Sequence, residues 1–302
     1  MRRSFLSFSK ARNPWKLIIR EYLLILHINL FVFFMEKKRV LFISQEITPY
    51  LPESEMSVIS RFLPQGIQEK GREIRTFMPR YGSVNERRNQ LHEVIRLSGM
   101  NLVINDTDHP LIIKVASIQA ARMQVYFIDN EDYFQRKSVL KDNKGKEFDD
   151  NDERAVFFAR GVLETVTKLR WAPDLIHCHG WLTSLVPLYI KTAYHDDPLF
   201  VNSKVIYSVY HEPLKRSLSP KVKKNVMVDG ITGDQLALLD VPSYENMIKL
   251  GIAYSDAVIQ GSERLSPDLS DFIRLQHNKP FLKHQSDGNY IDAYNDFYEL
   301  VL

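Results

Sequence analysis

The sequence holds one cysteine in 302 residues, Cys178, so no intrachain disulfide can form and the chain is suited to a reducing, cytoplasmic setting. It also has little net charge. Forty basic residues against thirty-seven acidic ones leave +3, which gives no electrostatic ground for a nucleic-acid partner. No apolar run reaches the about 20 residues that a membrane-spanning helix needs. The sequence contains no G-x-G-x-x-G, no G-x-x-x-x-G-K-[ST] and no G-x-S-x-G, so a dinucleotide fingerprint, a P-loop and a nucleophile elbow are excluded. It shows no internal repeat and no low-complexity tract. His177-Cys178-His179 has no second cluster at zinc spacing, so no metal and no cofactor are expected. What is present, 44% hydrophobic and 25% charged residues, is the make-up of a globular chain with a sizeable core.

Residues 1–34 differ from the rest. Arg2, Arg3, Lys10, Arg12 and Lys16 come without an acid, and Tyr22 to Phe34 is apolar apart from His27 and Asn29. This stretch reads as a leader: either an extension upstream of a start at Met35, or a signal or anchor. Membrane contact is expected only through these residues. Residues 35–302 read as one domain.

From residue 39 onward the pattern alternates between β and α. Arg39–Ser44 and Glu73–Met78 are short β-branched and aromatic runs, the signature of buried parallel strands. Between them, Met56, Ile59, Leu63 and Ile67 recur at helical spacing, and Gly71 ends the helix. Runs at His92–Leu97, Leu111–Ala116 and Met123–Ile128 predict inserted hairpins. Asn151 is the expected cap of a helix lined by Val156, Ala159, Leu163, Val166 and Leu169. Strands follow at Asp174–His177, Lys204–Val209 and Ala257–Gln260, with helices at Trp181–Lys191, Glu245–Tyr254, Pro267–Leu275 and Asn289–Leu302. This order predicts a Rossmann-like α/β fold with a doubly wound, mostly parallel sheet.

In such sheets ligands sit beyond the carboxyl ends of the strands. That rule selects Gln45–Glu55, His177–Trp181, Tyr210–Glu212 and Gly261–Arg264. Strand alternation sends His177 and His179 to one face and Cys178 to the other. His179 is either a polar group facing a ligand crevice or a structural histidine. Tyr210-His211-Glu212 places a histidine beside a carboxylate, as acid–base work requires, or is a solvated loop edge. Lys215, Arg216, Lys221, Lys223 and Lys224 form a basic loop that could meet phosphate or simply face water.

The strings RVLFISQEITPY, FMPRYGSV, YFIDNEDYF, NDERAVFFARGVLE, PDLIHCHGWLTSLVPLYIK, KVIYSVYHE and GIAYSDAVIQGSE, in this order and spacing, resemble the N-terminal, starch-synthase catalytic domain of bacterial glycogen and plant starch synthases. These are retaining glycosyltransferases of family 5 with the two-lobed GT-B fold. The resemblance implies metal-independent transfer of glucose from ADP-glucose to the non-reducing end of an α-1,4-glucan such as glycogen. It also implies that this chain is a single N-terminal half of a GT-B fold. Some fifty residues follow Ile252, too few for a second lobe of about 150–200 residues. A partner protein would then supply that lobe.

At the family's functional positions the side chains depart from the pattern. The lysine of its K-T-G-G-L loop falls on Pro52, its glycines on Ser54 and Glu55, and its leucine on Met56. Its H-D-W reads His179-Gly180-Trp181, and the histidine of its V-H-N falls on Tyr210, with His211 next. The resemblance therefore implies Pro52, Ser54, Glu55, His179 and Gly180 as substrate-binding positions and Tyr210 and His211 as catalytic ones. The alternative implied by the departures is a catalytically inactive glucan-binding or synthase-partner module.

Overall fold

A computed structural model describes residues 37–212, 214, 216–286 and 288–302. The leader expected at residues 1–34 lies outside the described residues, as does Lys215 of the basic loop. Seven parallel strands form the body of one sheet. They are β1 (Arg39–Ser44), β2 (Glu73–Pro79), β6 (Met123–Asp129), β7 (Leu175–His179), β8 (Lys204–Val209), β9 (Ala257–Gln260) and β10 (Phe281–Leu282). Three antiparallel strands extend one edge: β3 (His92–Glu93), β4 (Met100–Ile104) and β5 (Thr107–Ile118). The strand order is β10-β9-β8-β7-β1-β2-β6-β5-β3, with β4 pairing β5. The α/β, mostly parallel, doubly wound fold expected from the sequence is thus observed. The winding reverses between β1 and β7, because β1 leads outward to β2 while β6 crosses back to β7.

Two apolar layers flank the sheet. On one face Val40, Phe42, Leu175, Ile206 and Ile259 pack under α1 (Glu55–Glu69) and α8 (Tyr290–Val301), through Ile59, Leu63, Tyr294 and Tyr298. On the other face Leu41, Ile43, Cys178 and Val205 join the core beneath α3 (Asn151–Leu169), α4 (Leu185–Lys191) and α6 (Tyr244–Tyr254). Alternate residues of the same strands serve opposite layers, as a two-fold side-chain period requires. Short helices α2 (Glu131–Phe134), α5 (Val222–Val226) and the longer α7 (Pro267–Leu275) complete the chain. Among the described residues no helix is long and apolar enough to cross a membrane.

Helix α1 is held at its start by a capping box. Ser54 Oγ accepts from the Ser57 amide and Ser57 Oγ from the Ser54 amide, at 3.0 and 2.8 Å. Gly71, at φ +93°, turns the chain into β2.

Three local expectations are corrected, and two strands, β4 and β10, were not expected. The strand expected over His92–Leu97 stops at Glu93, because the amides of Leu97 and Ser98 both bond back to Val94 O in a turn. Strand β4, not foreseen, pairs with β5 through a two-residue hairpin in which Asn105 and Asp106 both have positive φ. Asn151 is not the cap of α3 but lies inside it. Asp150 precedes the helix, and the Asn151 amide is committed to Leu140 O and Arg154. The helix expected over Trp181–Lys191 breaks after a 3₁₀ turn at Trp181–Thr183, since Pro187 has no N–H for the carbonyl of Thr183.

Candidate functional site

The four segments chosen from the sequence meet at the carboxyl ends of β1, β7, β8 and β9, at the point where the winding reverses. The Gln45 amide crosses from β1 to His179 O of β7 at 3.1 Å. The Gln45 side chain then ties the loops together. Its Oε1 accepts from the Leu182 amide at 3.1 Å, and its Nε2 donates to Glu212 Oε1. The other oxygen of Glu212 accepts from the Trp181 amide at 2.9 Å. Tyr81 OH donates to Gln45 O, so the base of the crevice is fixed from below as well.

Glu212 is partly exposed as a residue, but its carboxylate faces inward. Desolvation raises its pKa to about 7, opposed by the Gln45 hydrogen bond and reinforced by the Glu46 charge. Beside it lies a cavity of about 330 Å³ whose walls include Tyr210, His211, Ser243, Tyr244 and Glu245. Above pH 4.5, the ordinary value for its carboxyl, the unfolded chain ionises Glu212 while the folded chain keeps it protonated up to about 7. The folded state binds more protons in that window, so this residue makes stability fall as pH rises through it. Urea unfolding at pH 5 and pH 8 should therefore show a smaller loss for Glu212→Gln than for the parent, by up to ~1.4 kcal/mol per pH unit across the window. Parallel losses in the two proteins would refute the inward, uncharged carboxyl.

His177 and His179 do face one side and Cys178 the other. Both rings lie on the α1–α8 face, with centroids 3.9 Å apart. His177 bonds Tyr298 OH at 2.6 Å and Ser208 Oγ at 2.7 Å. His179 Nδ1 meets Tyr210 OH at 3.0 Å. Burial lowers the His179 pKa to about 3 and raises that of Tyr210 well above its ordinary value. Near neutral pH this pair is an uncharged hydrogen bond. The Tyr210 ring fills the space beside Gly261, where a Cβ would stand 2.7 Å from it.

Gly180 has φ +88° and ψ 171°, a combination open almost only to glycine. A Cβ there would lie 2.7 Å from Met56 Sδ and 3.0 Å from Gln45 Cβ. Met56 of α1 therefore occupies the space above Gly180. At the front of α1, Ser54 Oγ donates to Glu46 Oε2 at 2.8 Å, and Glu55 accepts from Ser262 Oγ at 2.7 Å. His284, on the segment after β10, stands 3.5 Å from Glu55 and 3.1 Å from Gly261 O. Glu46, Ser54, Glu55 and Ser262 are thus engaged with one another, while the cavity beside Glu212 is walled by Leu214, Arg216 and Leu269 as well as by hydroxyls.

A family model described as the starch synthase catalytic domain matches residues 39–273. The chain belongs to the starch synthase catalytic domain family. The glycogen synthase of Chlorobium luteolum is 34% identical over 226 residues, 74% of this chain and 46% of that protein. That of Chlorobium chlorochromatii is 37% identical over 174 residues, 57% of this chain and 36% of the relative. The chain spans about half the length of the curated relatives it matches. Among solved structures, the catalytic domain of starch synthase IV from Arabidopsis thaliana, bound to ADP and acarbose, superposes with a TM-score of 0.66 at 17% identity. It covers 82% of this chain and 51% of that one, which establishes a shared fold.

Seen as a starch-synthase-type lobe, the structure gathers His179, Gly180 and Tyr210 in one cluster and Ser54 and Glu55 at its rim. Pro52 stands apart, and His211 lines the cavity beside Glu212. Pro52 is exposed, with its carbonyl accepting from Ser57 Oγ, and His211 is exposed, with its amide bonded to Ser262 Oγ. Gln45 and Ser262 lay within the segments selected from the sequence and Met56 on the family's leucine position, but none was given a role, and His284 lay outside them. A polar residue directly after a buried strand was the available signal for Gln45. His284 had none.

Proposed function

We propose that residues 35–302 form the N-terminal, acceptor-side lobe of a glycogen or starch synthase-like protein of α-1,4-glucan biosynthesis, preceded by a leader at residues 1–34. The family reaction is glucosyl transfer from ADP-glucose to a glucan non-reducing end, in the cytoplasm. The observation that carries this reading is the convergence of four family-matched loops at the reversal point of the sheet. Pro52, Ser54, Glu55, His179 and Gly180 are the proposed substrate-side positions, and Tyr210 and His211 the proposed catalytic ones.

One observation favours the second reading, a glucan-binding or synthase-partner module that transfers no sugar. Met56 and the Tyr210 ring fill the places of the family's aspartate and histidine side chains, and Glu55 would repel a diphosphate. Two measurements on the full chain separate the readings: co-sedimentation with glycogen, and ADP release from ADP-glucose with glycogen present. Retention on glycogen is expected in both. ADP release well above a protein-free control establishes the transferase, and retention without release establishes the module. A chain that neither sediments with glycogen nor releases ADP would overturn the proposal.

A further inference from the structure

A second polar cavity, of about 450 Å³, lies at the opposite end of the sheet, where β2 and β6 begin and α1 ends. Arg75 of β2 and Arg122 line it. The Arg75 guanidinium is held between two aromatic rings, 5.7 Å from the centroid of Tyr126 and 5.1 Å from that of Trp171, and its Nη1 donates to Tyr126 OH at 2.8 Å. Such a sandwich fixes the plane of the guanidinium before any ligand arrives.

The charge balance of the cavity favours an anion. Its one carboxylate, Glu73, is already engaged: Trp171 Nε1 donates to it at 2.6 Å, and Arg39 Nε lies 3.4 Å away. Among the described residues no ion pair engages Arg75 or Arg122. Two enclosed atoms of the lining also lack a hydrogen-bond partner, the donor Arg75 Nε and the acceptor Gln68 Oε1. Folded proteins leave few such atoms unmatched, and these two ask for opposite chemistry, an acceptor and a donor. Arg122 has φ +50°, a conformation uncommon for a residue with a side chain.

We propose that this cavity binds a small phosphorylated sugar. The phosphate would sit against Arg75 and Arg122, where a planar guanidinium matches it with two parallel hydrogen bonds. Sugar hydroxyls would serve Gln68 and Gln124. The volume falls within the roughly 300–1,000 Å³ range of small-molecule sites. The site is separate from the crevice and does not depend on the activity proposed there.

Trp171 lies against Arg75, so its fluorescence in the full chain reports filling of the cavity, and calorimetry reads the same titration independently. Glucose 1-phosphate should bind saturably with a Kd at or below about 1 mM. Inorganic phosphate should bind at least about tenfold more weakly, and glucose should not bind up to about 10 mM, since neither carries both halves of the recognition. Arg122→Gln, on an exposed turn, should weaken glucose 1-phosphate about tenfold while leaving the unfolding midpoint unchanged. The proposal is overturned by absence of saturable binding in both measurements, by equal affinity for phosphate and glucose 1-phosphate, or by an unchanged Kd in Arg122→Gln.

Discussion

Gly180→Asp should lower the unfolding free energy by ~2–4 kcal/mol and should not raise ADP release from ADP-glucose above that of the parent chain. The backbone at φ +88°, ψ 171° is strained for any side chain, and the new Cβ would meet Met56 Sδ at 2.7 Å and Gln45 Cβ at 3.0 Å. The methionine end can swing away. Gln45 Cβ cannot, because the Gln45 side chain bridges Leu182 and Glu212. The added carboxylate would also enter a crevice that already holds Glu46 and Glu212. Urea unfolding measures the loss, and an ADP-release assay of the variant, alone and combined with Tyr210→His, compares its turnover with the parent's. A loss below ~1 kcal/mol would mean the glycine conformation is not required, and turnover above the parent's would mean these two positions limit activity.

Tyr298→Ala should cost more, ~3–5 kcal/mol, the usual range for deleting a fully buried aromatic ring. Tyr298 is completely buried between α8 and the sheet, and its hydroxyl is the partner of His177 Nδ1. Tyr298→Phe keeps the ring and loses only that bond, so ~1–2 kcal/mol is expected. The ratio between the two variants is the informative quantity. Similar losses would show that the His177 contact, not the packing of α8, holds the helix. A loss below ~2 kcal/mol for the alanine variant would show that α8 contributes little to the lobe.

The central parallel strands were legible because they are buried on both faces and so consist of nearly unbroken apolar residues, as in Arg39–Ser44 and Lys204–Val209, whereas β10, two residues at the edge and not buried, left no such run. The split of His177 and His179 from Cys178 followed from strand alternation, and the location of the crevice from the carboxyl-end rule. Features set by one distant residue were not legible. The end of a helical run at Ser184 depends on Pro187, and its effect shows only once the register of the turn is known. The hairpin at Asn105-Asp106 carried a turn signal, but its flanking strand Met100–Ile104 alternates too weakly to stand out. The chemistry of the crevice was least legible. Met56 lies over Gly180, Gln45 meets Glu212 and His284 meets Glu55 across more than a hundred positions of sequence. Periodicity carries no record of such pairs.

Helix α8 covers the same apolar layer that β1 begins, yet the two are about 250 positions apart. At roughly 5–20 residues per second, a ribosome reaches α8 some ten seconds to a minute after making β1. Once α1 is made, Val40 and Phe42 have it beside them but not Tyr294, Phe297 or Tyr298, and Ile206 joins the same uncovered layer when β8 follows. The nascent chain therefore presents a greasy strip that chaperones would have to shield, and expression yield should respond to changes in α8 more sharply than to changes of equal size in α7.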